Sequence, residues 1–120
     1  MREEIIRVVE TYIDAVRRND ADSLPLHPNV VFESPLGRYE GIASFRKGLA
    51  DFFQILQGIE VVRLTADDDT CAAVLKIDTV FGMIPSLEYF YVSKGEITSI
   101  RIYYDPRALL EGIARAQVQH

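Results

Sequence analysis

Apolar residues recur along the start of the chain at steps of three and four. Ile5, Val9, Tyr12, Ile13 and Val16 form one stripe, which predicts an amphipathic helix from about Arg2 to Arg18. Glu3 and Glu4 stand in its first turn and Arg17 and Arg18 in its last, as the helix dipole favours. Asn19-Asp20 closes it, and Ala21 to Leu24 can add one short turn before Pro25 prevents continuation. A brief strand, Val30 to Glu33, is stopped by Ser34-Pro35-Leu36-Gly37. Gly41 then opens a second helix on Ile42, Phe45, Leu49, Phe52 and Leu56, with Gly58 as its stop.

The remainder reads mainly as strand. Ile59 to Leu64 leads into the turn Asp67-Asp68-Asp69, and Cys71 to Phe81 is a long β-rich run. Gly82 to Pro85 turns the chain; Leu87 to Val92 and Ile97 to Tyr104 then form a hairpin through Lys94-Gly95, and Asp105-Pro106 starts a short terminal helix. Helices early and strands late predict an α+β fold, with helices on one face of a curved antiparallel sheet. Strand parity sets Glu88, Phe90, Val92, Ile100, Ile102 and Tyr104 on the helix-facing side. Leu87, Tyr89, Tyr91, Ile97, Arg101 and Tyr103 fall on the other. Large apolar groups on both parities imply that both faces are covered, the outer one by a second copy of the chain.

Composition narrows the picture. A length of 120 residues fits one domain, 1–120, and 48% hydrophobic with 26% charged residues is an ordinary globular balance. With a net charge of −5 and basic residues scattered among carboxylates, no nucleic-acid partner is expected. No basic-then-apolar leader and no apolar run of about 20 residues is present, so no membrane association and a cytoplasmic location are expected. Cys71 stands alone and reads as a small buried hydrophobe, while His27 and His120 are too few for a His/Cys metal cluster.

Four stretches, in this order, resemble the nuclear transport factor 2-like superfamily, in its SnoaL-like and ketosteroid-isomerase-like branch. They are Tyr12 to Asp20, Phe32-Glu33-Ser34-Pro35-Leu36-Gly37, Gly41-Ile42, and Glu88-Tyr89-Phe90 followed by Gly95-Glu96-Ile97 and Arg101 to Asp105. The resemblance implies a cone-shaped α+β barrel around a mostly apolar pocket. It also supplies candidate roles. Tyr12 matches a tyrosine that donates a hydrogen bond to a developing enolate oxygen, and Glu88 an acid that stays protonated and donates to the same oxygen. Ser34 stands where the isomerase branch keeps its carboxylate base, and serine cannot abstract a carbon-bound proton near neutral pH. Lys76 and Asp78 resemble the Arg-x-Asp pair of the epoxide-hydrolase branch, whose second aspartate falls on Ile102.

The expected catalytic residues are thus Tyr12, Glu88 and Asp78, with Phe32, Ser34, Phe90, Ile100, Ile102 and Tyr104 around the substrate and no cofactor or metal. His27 is a second candidate base, and Asp105 a cap for the terminal helix. Three functions fit these residues. One is a cofactor-independent isomerase, cyclase or hydrolase acting on a small apolar oxygenated compound, polyketide-, steroid- or terpenoid-like. Another is a non-catalytic pocket for such a ligand, and the third a protein-interaction module using the outer sheet face.

Overall fold

The computed structural model describes residues 2–118; His120 lies outside the described residues. Helix α1 (Arg2–Arg17) buries the expected stripe, Ile5, Val9, Tyr12, Ile13 and Val16. Asn19 takes a left-handed conformation (φ 55°) that ends the helix, and the Asp20 N–H donates back to the Ala15 carbonyl at 2.9 Å. After a single 3₁₀ turn (Ala21–Ser23) come β1 (Leu26–Ser34), β2 (Gly37–Glu40), α2 (Ile42–Phe53), β3 (Leu56–Ala66), β4 (Thr70–Thr79), β5 (Gly82–Ser93), β6 (Glu96–Tyr103) and α3 (Arg107–Val118).

The six strands form one curved, unclosed sheet in the order β2-β1-β6-β5-β4-β3. It is mixed rather than antiparallel throughout, because β1 runs parallel to β6. The crossover needed by that parallel pair is everything between them, β2, α2 and the β3–β5 meander. The fold is α+β, as the element order predicts, and cone-like, as the resemblance implies.

Several boundaries differ from the sequence reading. Pro35-Leu36 makes a tight turn between Ser34 and Gly37, so the segment read as a stop is a hairpin into β2. Helix α2 ends at Phe53, and Leu56 and Gly58 belong to β3, where Leu56 pairs with Thr79. The β4–β5 turn lies at Val80-Phe81. The Thr79 hydroxyl donates to the Gly82 carbonyl at 2.8 Å and accepts from the Phe81 N–H at 3.1 Å, which leaves Gly82 to Pro85 free to pair as strand.

Alternation along the strands separates the two faces. On β4, Cys71, Ala73, Leu75, Ile77 and Thr79 are buried while Val74, Lys76 and Asp78 are exposed. On β5, Ile84, Ser86, Glu88, Phe90 and Val92 are buried. Ile97 is the exception to the predicted parity. Tyr91 pairs with Ser99 but Val92 with Ile97, so Thr98 is an extra residue in β6. That bulge turns Ile97 to the inner face, where it is fully buried.

Helix α1 lies over β3 to β6, and α2 over β1 and β2. Arg17 fastens α1 to the sheet: its guanidinium donates to the Ile59 carbonyl at 2.9 and 3.1 Å and to Asp14 at 2.9 Å. The core fills the closed end of the cone with Val9, Val30, Cys71, Phe90, Ile97 and Ile100.

Candidate functional site

Toward the other end the helices and sheet diverge and enclose a cavity of about 680 Å³. Its walls come from every layer: Tyr12 and Val16 of α1, Phe45 and Phe52 of α2, Phe32 and Ser34 of β1, Ser86 and Glu88 of β5, and Ile102 and Tyr104 of the last strand and its exit. Leu109, Ile113 and Gln117, spaced four apart along one face of α3, reach across the mouth. Helix α3 can sit there because residue 112 is glycine; a Cβ at that position would collide with the Phe81 ring.

The deep wall carries a carboxyl group. Glu88 pairs with Ala73 on one side and Ile102 on the other, so its row of the sheet offers it no cation. Its Oε2 is buried and finds no hydrogen-bond partner among the described residues. Loss of water pushes the carboxyl up to about 7, which keeps a large share of it neutral near physiological pH. Tyr12 reaches the same wall from α1, its ring edge-on to Phe90 at 5.4 Å between centroids and tilted against Phe45 at 6.5 Å. Burial, with the neighbouring Glu88 carboxyl adding to it, holds the phenol well above its ordinary range. Tyr12 therefore stays a donor at any physiological pH. Ser86 completes the group, its hydroxyl donating to the Ile84 carbonyl at 3.3 Å.

A second polar group sits across the sheet. The Ser34 hydroxyl accepts from the Leu36 N–H at 3.1 Å, a bond fixed by the turn into β2. Tyr104 stands beside it; burial raises its phenol while the Ser34 hydroxyl pulls the other way. Tyr39 joins them from β2, with its ring laid on α2 over Gly48, where an added Cβ would come within 3.1 Å of the ring.

Residues 9–100 match the family model of the SnoaL-like domain. The chain belongs to the SnoaL-like domain family. It falls within the nuclear transport factor 2-like superfamily. A crystal structure of a protein from Kribbella flavida is 26% identical, with a TM-score of 0.85 over 95% of this chain and 96% of that one. An LEH-like epoxide hydrolase from M. tuberculosis is 23% identical, with a TM-score of 0.78 over 99% of this chain and 98% of that one. A de novo designed protein with a curved β-sheet also reaches 0.78, at 20% identity over 97% and 98% of the two chains. A designed scaffold and a natural hydrolase fit equally well, so the shared fold carries no chemistry of its own. A search of curated proteins returns no match.

This SnoaL-like chain brings together six of the nine residues expected at the site: Tyr12, Glu88, Phe32, Ser34, Ile102 and Tyr104 all line the cavity. Phe90 and Ile100 share the inner face but lie fully buried in the core, Phe90 against the Tyr12 ring, and neither lines the cavity. Asp78 does not join them. It is exposed on the opposite face of β4, in the outward alternation with Val74 and Lys76. The two-apart polar pair that faces the pocket is Ser86 and Glu88 on β5. His27 does not line the cavity; its Nδ1 accepts from the Asn29 N–H at 3.0 Å. Glu33 points outward to Arg38 at 2.7 Å and Arg101 at 3.7 Å, leaving Ser34 as the inward residue. Asp105 accepts from the Arg107 N–H at 3.0 Å at the start of α3. Among the described residues no three His, Cys, Asp or Glu groups are placed to hold a metal ion.

Proposed function

We propose that the pocket of this SnoaL-like protein takes up a small, apolar, oxygen-bearing compound, and that Tyr12 and the neutral Glu88 carboxyl donate hydrogen bonds to one oxygen of it. The observation that carries this reading is the buried Glu88 Oε2, without a partner among the described residues and set in an apolar wall beside a phenol. An unpaired buried carboxyl costs stability, and a ligand oxygen supplies the missing partner. Chemistry at such a site is of the acid type. Two donors in a dry cavity polarise a carbonyl or stabilise negative charge developing on it, and Glu88 can pass its proton to a leaving oxygen. A carbon-bound proton finds no base at Ser34, so steroid-type isomerisation should stay near background, and Ser34→Asp is the substitution that would introduce it.

The reading is tested by calorimetric titration of 2-tetralone, a compact fused-ring ketone. Binding should be tightest below pH 7, where Glu88 holds its proton, and should weaken as pH rises through about 7. Glu88→Gln should flatten that pH profile, and Tyr12→Phe should weaken binding about three- to tenfold. No binding by the wild-type chain, or a profile indifferent to both substitutions, would refute the reading.

A further inference from the structure

The second polar group has no role in gripping that first oxygen, and its position across the cavity suggests what it does. Glu88 pairs with Ile102, and one residue beyond the parallel Glu33–Arg101 pair Ser34 comes beside Ile102. Glu88, Ile102 and Ser34 thus form one row across β5, β6 and β1, which sets the two polar groups two strand spacings apart, about 10 Å. Between them the wall is apolar, with Ile102 in the row and Phe32, Phe45 and Phe52 around it. Phe32 and Phe45 pack edge-on at 5.2 Å and offer flat surface to a ring.

The hydroxyls at the Ser34 end are available. Ser34 accepts from the Leu36 N–H and shares a hydrogen bond with the Tyr104 phenol beside it, so the pair keeps the phenol proton to donate and a phenol oxygen that can accept. Gly48 permits the close approach of Tyr39 that adds a third hydroxyl to this end. Charge complementarity limits the occupant further. Among the described residues that line the cavity none is Lys, Arg or His, so these walls offer an anionic group no partner.

We propose that the occupant is an uncharged, apolar ring compound oxygenated at both ends, with its second oxygen held by the Ser34 and Tyr104 hydroxyls. This rests on the reading that Tyr12 and Glu88 hold the first oxygen. The Ser34 pair is then the specificity element that separates doubly from singly oxygenated molecules of one size.

The experiment compares 6-hydroxy-2-tetralone, which carries oxygens at opposite ends of a fused ring pair, with the equally large 6-methyl-2-tetralone, by calorimetry at pH 6. The wild-type chain should bind the hydroxy compound about three- to tenfold more tightly. Ser34→Ala and Tyr104→Phe should each remove most of that preference and leave the affinity for the methyl compound within about twofold. Should Tyr104→Phe fail to fold, Ser34→Ala, a small change at the rim, decides alone. Equal affinity of the wild type for both compounds overturns the second subsite and leaves the Tyr12–Glu88 reading standing. So does a Ser34→Ala variant that weakens both alike. If the wild type binds neither compound, the Tyr12–Glu88 reading falls and takes the second subsite with it.

Discussion

At the scale of single residues, Glu88 dominates because its environment sets both its chemistry and its cost. Its folded-state value lies near 7 against an ordinary 4.5, so the folded chain holds this proton more tightly than the unfolded one. Its contribution to stability is therefore complete below about pH 4.5, declines between 4.5 and 7, and is lost above that. The ionised form costs roughly 3 kcal/mol relative to the neutral one. Glu88→Gln should accordingly unfold later in urea than the wild type at pH 8, by roughly 1–3 kcal/mol, and within about 1 kcal/mol of it at pH 4.5. An equal difference at both pH values would show that the carboxyl is not buried in the ligand-free protein. Tyr12 and Glu88 were legible because the resemblance singled them out and periodicity put each on one face with large apolar neighbours, Tyr12 with Val9 and Val16, Glu88 with Phe90 and Val92. Ser86 and Tyr39 were not. A lone serine in a strand gives no signal of its own, and Tyr39 sits in a four-residue strand that reads as turn.

At the scale of elements, periodicity located the helices and the long strands, and failed where a local contact outweighs it. One bulged residue, Thr98, reverses the facing of Ile97 against its neighbours, and nothing in the Glu96-Ile97-Thr98-Ser99 string announces it. Leu56 continues the spacing of α2, yet its backbone is taken by β4 through the Thr79 pair. Asp78 was misplaced for a different reason: the Lys76-x-Asp78 spacing matched a motif, but spacing says only that two side chains share a face, not which face. Helix α3 yields a further prediction. Because the Gly112 Cα lies against Phe81, Gly112→Val should push α3 off the β4–β5 turn and uncover the mouth. Amide exchange over residues 107–118 should then quicken, and bound 2-tetralone should dissociate faster. Unchanged exchange would show that α3 accommodates the side chain by sliding.

At the scale of the whole molecule, the outer face of the sheet carries exposed apolar side chains. Val74, Leu87 and Tyr103 lie in one row across β4, β5 and β6 and are all exposed, and Tyr89 and Tyr91 meet edge-to-face at 5.3 Å beside them. A patch of this kind is uncommon on a monomer, and a twofold contact with a second copy would bury both patches at once. Sedimentation at micromolar concentration should therefore give twice 13.6 kDa, and Tyr89→Glu with Tyr103→Glu should split the pair. A 13.6 kDa species for the wild type would end that expectation. The parallel pairing of β1 with β6 has a consequence in time as well as in space. Ser34 belongs to the first strand made and Tyr104 follows the last, so the cavity wall has no intermediate version: until β6 docks, β1 has only β2 beside it and the pocket does not exist. The neighbouring hairpins pair locally, but the β1–β6 contact must close a long loop, and folding should fall in the millisecond-to-second range typical of sheet-dominated topologies. Binding competence should consequently arrive in a single late step, and a ligand added during refolding should slow unfolding without accelerating folding.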